Sequence, residues 1–255
     1  MLPGLSAQRG DDDLNADGCP PFNDVRVRRA ISLAIDRQTV IDGVYLRGEP
    51  SPAVPRGLAE WSLPIERLGE GAKYYRYDPR EARQLLAGTG YPKGFKTQLS
   101  ATGGYGHDLL DAVQFVLHYL REVGIEAELK LQEYGAYMAT TGRGKFEGMT
   151  MGPYAIGWEP DSALYGPYVP DQPRNRGHVN DPKLTAMVRE QRRTPDLEAR
   201  KQLVFDIQRY AAQQQYYVYL FSAMFTGSWQ PYVKNYAPNL TFDYGGRAAA
   251  LWLER

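Results

Sequence analysis

The stretch PPFNDVRVRRAISLAID, residues 20–36, most constrains what this chain can fold into. Two turn-forming prolines lead into Phe22. Asp24 suits a helix N-cap, because its carboxylate can accept from the free amides of the first turn. Val27, Ala30, Ile31, Ala34 and Ile35 follow at helical spacing and make one apolar stripe, which predicts a core helix. Arg26, Arg28, Arg29 and Arg37 lie off that stripe and predict a solvated basic face. Asp36 can cap a second short helix that stops near Gly43.

The chain's 255 residues allow one large domain or two small ones. Lys+Arg and Asp+Glu both number 30, so charge gives no case for nucleic acid or an anionic membrane as partner. The one cysteine, Cys19, excludes an internal disulfide and a cysteine-only zinc site. His107, His118 and His178 have no metal-ligand spacing, so neither metal nor cofactor is expected. No stretch approaches the ~20 apolar residues that cross a bilayer. The first residues also lack the basic and apolar regions of a secretory signal.

In chain order, residues 1–19, with DDD at 11–13, read as an irregular lead segment. Residues 47–72 carry Pro50, Pro52, Pro55 and Pro64 and read as a long irregular connection. In YDPREARQLLAGTGYPKG (77–94), Asp78 is the N-cap and Pro79 suits the first helical position. Glu81 sits where a capping box places it, and Gly88 can end the helix. Ala82, Leu85 and Leu86 form its buried stripe. Residues 95–131 read as strand, helix and strand, which implies parallel pairing with a crossover. The loop ATGGYGHD (101–108), with Tyr105, leaves the first strand where open α/β sheets face a ligand crevice. TTGRGK does not complete a phosphate loop, because Ala139 and Phe146 stand where Gly and Ser or Thr are required.

A strand is expected within Phe146–Met151. The segment after it holds Tyr154, Trp158, Tyr165 and Tyr168 among glycines and prolines, with Asp161, Arg174, Arg176, His178 and Asn180 nearby. It lacks helical periodicity and reads as loop, and aromatics presented on loops with a few polar neighbours suit a ligand. Asp181–Pro182 and Thr194–Pro195 start two further helices. QQQYYVYLFS (213–222) reads as a buried strand, and 242–253 as a last strand or a return to a neighbouring lobe.

Several of these strings resemble one family. F-x-D-x-R-V-R-R-A-I-x-x-A-I-D-R from Phe22, Y-D-P-x-x-A-x-x-L-L-x-x-x-G-Y-P-x-G from Tyr77, LREVGIEAEL (120–129), GWEPD (157–161) and NDPKL…R…IQ (180–208) match the family 5 extracellular solute-binding proteins in order and spacing. Those proteins feed peptides, nickel chelates or oligosaccharides to ABC importers. The resemblance implies an α/β, type II periplasmic-binding-protein-like lobe with βαβ units, a mixed sheet and part of a second lobe. It assigns residues 20–215 to the ligand-binding lobe and 216–255 to a segment returning toward the other lobe, most of which is expected to be absent. Where peptide-binding members carry an aspartate for the ligand's ammonium group, this chain has Ile156. An oligosaccharide, or a peptide held another way, is then expected.

The function implied is capture without chemistry, outside the cytoplasm, with delivery to a membrane permease. Trp158, Tyr154, Tyr168 and Tyr105 are the candidate stacking residues. Asp161, Arg174, His178 and Asn180 are the candidate polar contacts. Two other readings stay open: a glycoside-acting enzyme, for which no acid/base pair or G-x-S-x-G stands out, and a lone lobe that self-associates through its exposed cleft face.

Overall fold

Buried arginines bonded to backbone carbonyls join the two parts of this fold. The computed structural model describes residues 2–7, 20–154, 159–223, 229–235 and 251–254, with the side chains of 2–7, Tyr154 and Ala223 excluded. The first half runs β1 (Leu2–Ala7), α1 (Val25–Ala34), α2 (Arg37–Val40), β2 (Gly48–Pro50), α3 (Pro79–Ala87), β3 (Phe95–Thr102), α4 (His107–Glu122) and β4 (Ile125–Gln132). The second runs α5 (Tyr134–Ala139), β5 (Met149–Tyr154), α6 (Asp161–Tyr168), α7 (Pro182–Arg193), α8 (Leu197–Gln214), β6 (Tyr217–Tyr219), β7 (Phe221–Ala223), β8 (Val233–Lys234) and β9 (Trp252–Leu253).

The main sheet has the order β4-β3-β5-β1-β6. β3 runs parallel to β4 and to β5, while β1 lies antiparallel between β5 and β6. This is the expected mixed α/β lobe, but β1 corrects the sequence reading. LPGLSA, expected to be irregular, forms a strand that fills the gap between β5 and β6. Pairing on both sides overrides its weak strand propensity. Its register sets Pro3 against Pro153, so the two residues without an N–H share one rung. Residues 217–223 pair within this lobe, as β6 in the sheet and as β7 beside β2.

Two apolar cores result. One lies under the sheet and holds α1, α3 and α4 through residues such as Ile31, Leu86, Val116 and Leu99. The other is helical, with Leu164, Leu184, Val204 and Ile207 packed under the proline-rich segment at Val54, Leu63 and Leu68. That segment lies so close to α8 that a Cβ on Gly71 would come within 2.6 Å of the Ala212 methyl.

Local chemistry sets the helix starts. Asp24, Asp36, Asp78 and Asp181 each accept a first-turn amide as N-caps. The last helix starts at Asp196, whose carboxylate takes the Ala199 amide, two residues beyond the expected Thr194. The capping box at Asp78 is only half made. The Asp78 N–H goes to the Leu33 carbonyl at the end of α1, and Glu81 pairs with Arg76 instead. At the close approach of two chain segments, Gly94 and Gly124 both take positive φ, and a Cβ on Gly94 would overlap the Gly124 carbonyl.

The basic face of α1 and the start of α2 is a second correction. Arg28 and Arg37 are buried, and Arg29 also reaches inward. Arg28 donates to the carbonyls of Phe22, Asn23 and Gln214, and Arg29 to that of Gln213. The carbonyls of Gln213 and Gln214 end α8, where a cation is favoured. Arg37 donates to the carbonyls of Ser32, Tyr75 and Tyr219 and to Ser32 Oγ, and its guanidinium lies 5.0 Å from the Tyr75 ring centroid. No described carboxylate forms an ion pair with it. Burial draws its pKa down to about 10, and nearby Tyr75 and Asp36 pull it back only in part.

Replacing Arg37 with Met removes the donor that links the carbonyls of Ser32, Tyr75 and Tyr219. Urea unfolding is expected to show a loss of about 3 kcal/mol or more. A loss under about 1 kcal/mol, within the ordinary range for a surface substitution, contradicts this role.

Candidate functional site

Because β3, β4 and β5 run parallel, their carboxyl ends share one edge, and three connections leave from it. Thr102 begins the first: its side chain accepts the Gly104 amide, closing a short 3-10 turn, Gly103–Tyr105, before α4. α5 is the second, capped by Glu133 through the Ala136 amide. The third follows β5 and leads toward α6.

Tyrosines converge where the first two connections meet. The Tyr105 ring stands edge-on to Tyr134 at 5.4 Å and to Tyr137 at 6.1 Å between centroids. Its hydroxyl donates to Met138 Sδ at 3.2 Å. Tyr137 is fully buried, and its hydroxyl lies 3.1 Å from Thr150 Oγ1, which donates to the Ser100 carbonyl. Tyr134 and Met138 are exposed, and Tyr105 is half-buried. Gly104 makes the approach possible, since a Cβ there would lie 2.3 Å from Tyr134 Cδ2. Burial pushes the Tyr105 phenol up to about 12, with Tyr137 adding to the rise and Arg176 opposing it.

A third segment closes on this edge. Thr141 Oγ1 donates to Gln132 Oε1, which ties the turn after α5 back to the end of β4. His178 Nε2 lies 2.9 Å from the Gly144 carbonyl in that same turn. A carbonyl can only accept, so Nε2 carries the proton. His178 takes a positive φ of 48° to reach it.

The predicted site residues therefore divide. Tyr105 and His178 come together on the carboxyl edge, with Arg176 within electrostatic reach of Tyr105. Arg174 and Asn180 are exposed on the segment that carries His178. Asp161 belongs to a separate polar cluster, where Gln191 Nε2 donates to it at 2.5 Å and Arg192 lies 3.4 Å away. Burial raises its pKa against the lowering effect of Gln191 and Arg192. In the same cluster Arg200 bridges Glu159 and Gln191. Tyr168 lies in the helical core, 1% exposed, with its hydroxyl 3.0 Å from that of Tyr219. It stands there because 161–168 is a helix and not the loop expected: Ala163, Leu164, Pro167 and Tyr168 are buried together at helical spacing. The Tyr154 side chain, Trp158 and Ile156 lie outside the described residues.

Tyr134, Tyr137 and Met138 escaped the sequence reading. Their signal was the spacing Y-x-x-Y-M directly after a strand end, which brings an aromatic face to a sheet's carboxyl edge.

Residues 13–174 match the family described as "Bacterial extracellular solute-binding proteins, family 5 Middle". The chain belongs to that family. The glutathione-binding protein GsiB of Escherichia coli strain K12 is 33% identical over 144 residues, covering 54% of this chain and 26% of that protein. Heme-binding protein A of Haemophilus influenzae is 40% identical over 77 residues, 30% of this chain and 13% of that protein. Among solved structures, the periplasmic binding protein DppA of Helicobacter pylori, in complex with the peptide STSA, superposes with a TM-score of 0.76 at 24% identity. It covers 100% of this chain, which in turn spans 48% of DppA. A mannohexaose-bound periplasmic oligopeptide-binding protein of Thermotoga maritima gives a TM-score of 0.72 at 20% identity, over 92% of this chain and 46% of that one. The chain thus spans about a quarter of GsiB and about half of these solved relatives.

The raised Tyr105 pKa has a pH consequence. The folded state keeps this phenol protonated to about 12, whereas an unfolded tyrosine ionises near 10.0. The associated stability is therefore present below pH 10 and lost as pH rises from 10 to 12. Denaturation followed across that window is expected to show a shallower fall for Tyr105→Phe than for the unaltered chain. Equal slopes contradict the burial argument.

Proposed function

We propose that this chain is the solute-binding component of an ABC importer, or the ligand-facing lobe of one. It captures a peptide- or oligosaccharide-sized solute outside the cytoplasm and presents it to a membrane permease. The observation that carries this reading is the pair of half-buried Tyr105 and exposed Tyr134 at the carboxyl edge of strands β3, β4 and β5. In open α/β sheets ligands bind at that edge, where connections leave in different directions. Here β3 has β4 on one side and β5 on the other, so the chain crosses the carboxyl end of β3 to reach β5.

Family membership supports capture over catalysis. The names of relatives supply candidate solutes: glutathione, heme, a short peptide and mannohexaose. An aromatic edge suits the sugar and the porphyrin most directly, since each offers a face to stack on a phenol. In this reading Trp158, Tyr154, Arg174, His178 and Asn180 are candidate contacts of the solute, while the buried Tyr168 is a support from the core. Asp161, also a candidate contact, is held by Gln191 and Arg192 in the polar cluster at the start of α6.

The ribbon of β8 and β9 supports a second lobe. Trp229, Tyr232, Trp252 and Leu253 are all exposed on or beside it. In full-length relatives such a surface has half a protein left to pack against. Closure of the two lobes then buries the solute.

Tryptophan fluorescence and thermal shift against short peptides, glutathione, heme and mannohexaose test this reading. At least one solute is expected to raise the melting temperature, and Tyr105→Ala with Tyr134→Ala is expected to weaken its binding roughly fivefold or more. Binding that survives both substitutions unchanged moves the site elsewhere. Turnover of a chromogenic glycoside would favour an enzyme instead.

A further inference from the structure

The main sheet treats its two ends differently. At one end β6 has three residues, and Arg37 takes the carbonyl of Tyr219. At the other end lies β4, eight residues long, with no proline or glycine in it. It pairs with β3 on one side, and among the described residues no strand pairs with its other side. A long edge strand of this kind is a template for another strand.

One hydrogen bond settles which groups face outward. The Phe95 amide donates to the Gly124 carbonyl, so Gly124 turns its carbonyl toward β3. Backbone groups alternate sides along a strand. Glu126, Glu128 and Lys130 therefore bond to β3, and Ala127, Leu129 and Leu131 present their N–H and C=O groups to the free edge. Side chains alternate between the two faces of the sheet. Ala127 and Leu129 pack on the sheet core, while Leu131 after them is 58% exposed. Glu126, Glu128 and Lys130 are exposed on the opposite face. Lys96 of β3 pairs with Glu126 at 3.6 Å, whereas Glu128 and Lys130 have no ion-pair partner among the described residues.

Two copies related by a two-fold axis and joined at this edge pair antiparallel. Their hydrogen-bonded rungs must join outward residues, which leaves few registers. Centring the pair on Ala127 sets Glu126 against Glu128. Centring it on Glu128 sets two glutamates face to face, and centring it on Lys130 sets two lysines. Centring it on Leu131 shortens the overlap. Centring it on Leu129 sets Glu128 against Lys130, twice over, in the closer rungs with Cα atoms about 4.5 Å apart. The same register lays the exposed Leu131 across from the small Ala127. Charges on an edge strand usually discourage pairing. Here both signs occur, and their order opposes the other registers and favours this one.

We propose that β4 is a self-association edge: two copies of this chain pair antiparallel about Leu129, with Glu128 of each copy opposite Lys130 of the other. The proposal is independent of the capture reading and uses neither the tyrosine edge nor the β8–β9 ribbon. A single pair of strands is small beside a standard interface, so the dimer is weak and depends on concentration.

The test is sedimentation velocity of the 255-residue chain, with amide hydrogen exchange followed by NMR at low and high concentration. The sedimentation coefficient is expected to rise between roughly 10 and 500 µM. Over that range the amides of Ala127, Leu129 and Leu131 gain protection, while those of Glu128 and Lys130, already bonded to β3, keep theirs. Glu128→Lys and Lys130→Glu each place like charges opposite twice and are each expected to weaken the dimer roughly tenfold or more. Combining the two substitutions restores the opposite pairs and is expected to recover affinity to within about threefold. All of these are surface changes, so melting temperatures stay near that of the unaltered chain. A chain that stays monomeric to roughly 500 µM overturns the proposal. Self-association that leaves the three outward amides unaffected puts the contact elsewhere and overturns it too. Protection of those amides in the monomer means that the chain's own residues cover the edge, and protection that appears only with an added peptide makes the edge a peptide site; either result removes the dimer. A combined variant that stays as weak as the single ones overturns the pairing about Leu129.

Discussion

Arginines that spend their donors on backbone carbonyls hold this molecule together. An arginine side chain fully out of water ordinarily requires a carboxylate, because desolvation of the ion is costly. Arg37 meets that cost with the carbonyls of Ser32, Tyr75 and Tyr219, the Ser32 hydroxyl and the face of Tyr75. Those carbonyls belong to the end of α1, the 3-10 turn Gly69–Tyr75 and β6. Arg28 and Arg29 do the same for the last carbonyls of α8. The helix α1 therefore touches the sheet core with its apolar side and the helical core with its cations.

That connection bears on the site. The tyrosine edge is built on α5 and on β3 and β4, and the two strands belong to the sheet core. The segment with Arg176 and His178 is built on Asn175, Tyr168 and Tyr217, which belong to the helical core or border it. A contact such as His178 to Gly144 keeps its 2.9 Å spacing only if the two cores keep their relation. The arginines of α1 and the strand β6, which carries Val218 in one core and Tyr217 and Tyr219 in the other, supply that constraint. A surface preorganised in this way loses less freedom when a solute arrives.

What could be read from the sequence was what is decided locally. Asp24, Asp36, Asp78 and Asp181 were legible as caps because a cap involves residues two or three apart. The β3-α4-β4 unit was legible because its alternation and its closing Gly124 are local too. The place of Tyr105 at the carboxyl edge was legible from the strand end just before it. The buried arginines were not, because each has an acceptor more than 180 residues away in sequence, as with Arg37 and Tyr219. The helix α6 was hidden by Gly166 and Pro167, which read as a turn; Pro167 sits near the helix end and in the core. The same misreading put Tyr168 on a loop facing a ligand. β1 owes its form to strands at its two sides and not to its own residues.

Native-state hydrogen exchange tests most directly whether the two cores act as one body. If the arginines of α1 join them, the slowest amides of α4 in the sheet core and of α8 in the helical core open together. Their opening free energies then agree within about 1 kcal/mol and respond equally to denaturant. If α8 opens at a free energy lower than α4 by about 2 kcal/mol or more, the cores are separate foldons. The tyrosine edge and the Arg176 segment would then not be held in register by the fold.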